Sequence, residues 1–336
     1  MGIPPTLDAL LRAHGPSGHE HLAFDAVRDG LGDVAEIETD SVGSLIARRA
    51  GDGPLLALFA HLDVIGAAVA HIADDALIGV HQLGSWRANV AYGQRVEIRT
   101  KNGIVPGVIA RRVKDNEKVE WGQLYVDIGA KDGEDARSLV APGDPMVVVG
   151  PPLELANGRV ASGMLDNRAG LYVAIETLRR AEGANVAVVA AAQEELGAYG
   201  AKAAAHALRP DVAIAIDVTY ATDVPGEDAA TGGHHVLGGG AAIFRGPAVN
   251  PRVFELLVEA ARAEGVDHTI EAGMKTYTDA DVTFAAGEGI PTGLVSIPLR
   301  NMHSPIEIVE LDDLEACIRV LVGFAARLQP GETYAR

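Results

Sequence analysis

Hydrophobic and polar positions divide the chain into three stretches. Up to about residue 66, "TLDALLRAHG" and "HEHLAFDAVRDGLG" repeat apolar residues at helical spacing, which predicts two short helices. "DVAEIETD" and "GSLIARR" alternate and predict a strand pair. "PLLALFAHLD" is nearly all apolar, as expected of a strand buried on both faces, and it ends at His61.

From about residue 67 to 157 helical periodicity fades. "QRVEIRTKNGIVPGVIARR" and "QLYVDIGA" alternate with a period of two, and turn signals fall at "KNG", "KDGED", "APGD" and "PP". This reads as a small β-barrel or sandwich inserted in the chain.

Helix and strand then alternate. The helix "DNRAGLYVAIETLRRAE" precedes the strand "NVAVVAAAQ", the helix "AYGAKAAAHAL", the strand "DVAIAID" and the helix "NPRVFELLVEAARAEG". The strand "PTGLVSIP" and the helix "ELDDLEACIRVLVGFAARL" follow. Such βα alternation predicts an α/β fold, a mostly parallel central sheet with helices on both faces. The parse is a discontinuous α/β domain, residues 1–66 and 158–336, interrupted by a β-rich domain, residues 67–157.

Composition changes this picture little. Of the 336 residues 48% are hydrophobic, ordinary for a globular protein, and no apolar run is long enough to span a membrane. The N-terminal residues lack the pattern of a secretory signal. "MGIPPT" fits a myristoylation pattern only formally, with two prolines inside it. The single cysteine, Cys317, excludes an intrachain disulfide, suits a core position and favours a cytoplasmic setting. A net charge of −18 argues against a nucleic-acid partner.

Candidate chemistry lies at the ends of the apolar strands, where open α/β sheets place their sites. His61 and Asp63 follow one strand, Glu194 and Glu195 a second, Asp217 a third, and His303 comes shortly after a fourth. Asp166 stands at a helix start. Each has an ordinary alternative: a helix cap for Asp166, a hydrogen-bonded core histidine for His61, turn or loop positions for the rest. Their joint placement at one sheet edge is the signal. Two imidazoles and several carboxylates suit Zn²⁺, Co²⁺ or Mn²⁺, and buried carboxylates need cations to stay ionised. No P-loop, dinucleotide fingerprint or nucleophile elbow is present. The glycine-rich "HHVLGGGAAIFRG" is not read as a phosphate cradle. His234 and His235 within it are weaker metal candidates.

The segments "AHLDVIG", "GMLDNRAG", "QEELGAYGA", "AIDVTYATDVPG" and "RNMHSPIEIVELDDLE" together resemble the tetrahedral aminopeptidase family, dinuclear metallopeptidases that include glutamyl and deblocking aminopeptidases. "GPSGHE", "RTKNGIVPGVI" and "TDADVTFAAGEGIPTGLVSIPLR" extend the resemblance over nearly the whole chain. It implies two divalent metal ions per subunit, one held by His61, Asp166 and Asp217, the other by Asp166, Glu195 and His303. Asp166 would bridge them. It implies Glu194 as general base and acid, and Asp63 orienting His61. It also implies a barrel that serves dimerisation, and homo-oligomers, either dimers or tetrahedral dodecamers.

Val64 and Asn301 depart from residues common in the family, which bears on pocket shape, and Asn167 is a variant beside Asp166. The expected activity is metal-dependent removal of N-terminal residues from peptides. The alternatives are a co-catalytic zinc deacylase of N-acyl amino acids or peptides, and a non-catalytic peptide-binding assembly. An endoglucanase would leave the histidines idle.

Overall fold

A computed structural model describes residues 2–112, 118–226, 230 and 233–334. Strand β1 (Glu36–Thr39) pairs antiparallel with β2 (Leu45–Arg49), and β3 is Asp52–His61. Six strands then close a barrel: β4 (Gly66–Ile72), β5 (Ile78–Leu83), β6 (Arg95–Thr100), β7 (Gly103–Arg111), β8 (Leu124–Asp127) and β9 (Pro145–Val148), in the order β4-β5-β8-β7-β6-β9. β10 (Leu153–Glu154) and β11 (Arg159–Ser162) return the chain to the main body. There follow β12 (Ala184–Ala191), β13 (Val212–Tyr220), β14 (Ala241–Arg245), β15 (His268–Ala272), β16 (Thr292–Leu299) and β17 (Glu307–Glu310).

The main sheet has eight strands in the order β1-β2-β12-β3-β13-β16-β14-β15. Its centre, β12-β3-β13-β16, is parallel, while β2–β12 and β14–β16 are antiparallel joints toward the margins. The central strands are apolar on both faces because helices cover both. The helices Pro5–Arg12, Leu165–Arg180, Pro251–Ala263 and Leu311–Ala325 pack one face around Leu56, Val188, Ile214 and Val295. The helix Tyr199–Leu208 and the short helix Ala280–Thr283 cover the other around Phe59, Val189 and Ala213. Cys317 is buried in the first layer. Among the described residues no helix is long and apolar enough to cross a membrane.

The expected α/β sheet and closed barrel are both present. The barrel fills its interior with Val69, Ile78, Val96, Ile98, Val126 and Met146 from alternating positions. Two local readings differ. "KDGED" is no simple turn: Asp132 accepts from the Asp135 amide and starts the helix Gly133–Leu139. "HEHLAFDAVRDGLG" splits into a 3₁₀ turn, Glu20–Ala23, and the helix Phe24–Leu31. The glycine run leads into β14. The Gly238 and Gly240 amides donate to the two carboxylate oxygens of Asp313, both at 2.8 Å, so the run is a turn held by a helix N-terminal acid. Gly240 has φ +81°, and a Cβ there would stand 1.8 Å from the Asp267 carbonyl oxygen.

Candidate active site

Four parallel strands bring their carboxyl ends to one edge, and residues at or just beyond those ends face a common cleft. β3 ends on His61. β12 ends at Ala191, and Gln193, at φ +56°, turns the chain so that Glu194 and Glu195 open a 3₁₀ turn. β13 carries Asp217. Beyond β16, Asn301 and His303 both have positive φ, which wraps the loop back over the edge. Asp166 lies in the first turn of Leu165–Arg180, where it and Asn167 depart from helical angles. The Asn167 amide donates to the Ile216 carbonyl at 2.8 Å and ties that helix start to β13.

These elements assemble two donor clusters that share one residue: His61, Asp166 and Asp217, and Asp166, Glu195 and His303. His61 Nε2 lies 3.1 Å from Asp166 Oδ1 and 3.8 Å from Asp217 Oδ1. His303 Nε2 lies 3.4 Å from Asp166 Oδ2 and 3.5 Å from Glu195 Oε1. Donors bound tetrahedrally at zinc distances stand roughly 3.3 Å from one another. Most of these separations are long for hydrogen bonds and right for atoms converging on a cation. Glu194 stands apart from both clusters, with Oε2 4.0 Å from His61 Nε2.

The electrostatics point the same way. Burial, opposed by His61 and reinforced by Asp217, pushes the Glu194 carboxyl well above its ordinary range. Burial does the same to Asp217, opposed by His61 and reinforced by Asp166. Asp166 is held low: hydrogen bonds and charge from His303 and His61 outweigh its burial. His303 is raised to about 11 because its contacts with Asp166 and Glu195 outweigh burial. With only imidazoles as partners the cluster must hold protons to balance its charge, and divalent cations would replace them. The donor set therefore fits two such ions.

Asp63 has a wider role than orienting an imidazole. His61 Nδ1 is 3.0 Å from the Asp63 backbone carbonyl and 3.6 Å from its carboxylate. The fully buried carboxylate also accepts from Ser17 Oγ at 2.6 Å and from the amides of Glu194 and Glu195 at 2.9 and 3.2 Å. It thus clamps the turn that carries both acids.

Three supports were missed in the sequence. Glu307, buried on β17, accepts from the Asp166 amide at 3.1 Å and the His303 amide at 3.0 Å, so one carboxyl fixes the backbone of two donors. Glu20 accepts from the Gly18 and Gln193 amides at 2.8 and 3.0 Å. The barrel reaches the site as well: Ser85 lines the cleft, and a Cβ at Gly84 would stand 3.0 Å from Glu195 Oε2. The spacing H-S-P-I-E, with the acid four residues after His303, is the one signal that could have drawn attention to Glu307. His234 and His235 belong to neither cluster; His235 is buried with Nδ1 2.7 Å from Thr269 Oγ1.

The model of the M42 glutamyl aminopeptidases matches residues 43–320, most of the chain. The chain belongs to the M42 glutamyl aminopeptidase family. A lysyl aminopeptidase of Pyrococcus furiosus is 33% identical over 337 residues, covering 96% of this chain and 96% of that protein. Among M42-like structures, a TET aminopeptidase from a marine-sediment Thaumarchaeota archaeon superposes with a TM-score of 0.92 at 29% identity, covering 96% of each chain. The TET1 peptidase of Pyrococcus horikoshii, described as assembling into a tetrahedron or a large octahedral shell, superposes with a TM-score of 0.85. It is 26% identical and is covered over 98% of its length by 95% of this chain. M42 membership places the protein among aminopeptidases.

Proposed function

We propose that the chain is a two-metal aminopeptidase that hydrolyses N-terminal residues from peptides. The observation that carries this reading is the pair of donor clusters sharing Asp166. His61, Asp166 and Asp217 would hold one divalent ion, and Asp166, Glu195 and His303 the other, with zinc, cobalt and manganese all suited to these ligands. Such ions, when bound, lower the pKa of water and polarise a scissile carbonyl. Glu194 takes the proton of the attacking water and passes it to the leaving amine. Asp63 keeps the Glu194–Glu195 turn in register so that adjacent acids serve different tasks.

A zinc deacylase would use the same donors. The aminopeptidase names of the relatives favour the free-amine reading. A paired assay on leucine p-nitroanilide and its N-acetyl derivative separates them. Turnover of the free amine alone is expected, and turnover of the acetylated compound alone would overturn the reading.

Residues 67–157 are proposed as an inserted domain that pairs subunits into dimers, and these into larger shells, as described for TET1. The barrel's exposed Tyr92, Ile104 and Val108 support an interface there. The reading includes a cytoplasmic setting, in keeping with the single cysteine.

Glu307→Gln is expected to weaken metal binding by about 10–100-fold, the usual cost of losing a group that orients metal ligands. Glutamine has one acceptor oxygen, so its amide nitrogen would oppose the Asp166 or the His303 N–H. Competition titration against a chromogenic chelator measures the change, and an unaltered affinity would deny Glu307 this part.

A further inference from the structure

Residues 14–20 run from just past the helix Pro5–Arg12 into the 3₁₀ turn Glu20–Ala23, and they reach three separate parts of the molecule. His14 Nε2 lies 2.9 Å from Glu97 Oε2 on β6, across the junction with the barrel. Ser17 Oγ donates to Asp63 Oδ2 at 2.6 Å, and the same carboxylate accepts from the amides of Glu194 and Glu195. Glu20 Oε1 accepts from the Gln193 amide at 3.0 Å. One short segment therefore touches the barrel at one end and the turn that carries both acids at the other.

The segment is also held along its length. Gly15, Pro16 and Ser17 are buried. The Val64 amide donates to the Gly15 carbonyl at 3.1 Å, and Pro16 bridges to Val64 beside it. Beneath lies the fully buried Arg168, two residues after Asp166. Its Nη2 donates to the Ala13 carbonyl at 3.4 Å and would stand 2.8 Å from a Cβ at Gly15. Gly66, the first residue of β4, lets Pro16 lie against the barrel. A Cβ there would stand 3.0 Å from Pro16 Cβ and 2.5 Å from the Met146 carbonyl oxygen. Packing this close passes a displacement on instead of absorbing it.

We propose that His14 and Glu97 are positioning residues: their contact seats residues 14–20 so that Ser17 and Glu20 hold the turn of Glu194 and Glu195 in its working place. The catalytic part rests on the aminopeptidase reading, in which Glu194 moves the proton. Glu97→Ala removes the contact from the barrel side without touching a metal donor, and Glu97→Gln keeps an acceptor for Nε2. Metal-loaded Glu97→Ala is expected to lose about tenfold in kcat on leucine p-nitroanilide, less than the roughly 100-fold that a 1 Å misplacement can cost, with KM within about twofold. Glu97→Gln should recover most of the loss. Deuterium uptake at residues 193–195 should quicken about tenfold or more in Glu97→Ala, while uptake on β13 stays as in wild type. Adding Ser17→Ala to Glu97→Ala should cost little more than the larger single effect, because both cut one line of contacts. An unchanged kcat, effects that multiply, or uptake that is unchanged at residues 193–195 or quickened equally on β13 overturns the proposal. Wild type without turnover overturns the aminopeptidase reading and the catalytic part with it, and the uptake result then decides alone whether the barrel holds the turn.

Discussion

Glu194→Gln lowers kcat by about 10²–10⁴-fold, the usual contribution of a general acid–base group, while both metals remain bound. The variant keeps the side-chain shape and the backbone bond from residue 194 to Asp63. Glu194 is in neither donor cluster, so the ligands are untouched. What is lost is the ability to take a proton from water and return it to the leaving amine. Steady-state kinetics alongside elemental analysis of the purified variant checks both halves. Turnover like wild type would remove Glu194 from the proton-transfer role, and loss of metal would make it a ligand.

The second large effect is expected from Asp166→Ala. Oδ1 of Asp166 faces His61 and Oδ2 faces His303, so one truncation takes a donor from each cluster. The variant should retain neither metal after gel filtration and should have no turnover above background. Asp217→Ala serves as the contrast, since Asp217 belongs to one cluster only and its loss should empty that cluster alone. Retention of two metals by Asp166→Ala would refute the bridging role.

The chain discloses these residues unevenly, for physical reasons. β3 and β12 are apolar on both faces, so the arrival of His61 or of paired glutamates at their ends breaks the pattern and draws notice. Glu307, Glu20 and the carboxylate of Asp63 act through backbone amides far away in sequence, and no local pattern reports such bonds. Gly84 belongs to the barrel and meets Glu195 only once the chain has folded. The strands β14 and β15 carry little sequence signal, because β14 follows a glycine run and β15, at the sheet edge, is polar and half exposed.

The central claim is that two cations, held by clusters sharing Asp166, make this fold a peptidase. Metal-free protein, prepared by exhaustive chelation and titrated with zinc, cobalt or manganese while leucine and lysine p-nitroanilides are assayed, tests it most directly. The account predicts no turnover without metal and full turnover only near two equivalents per chain. Activity in the metal-free protein, or activity that saturates at one equivalent, would contradict it.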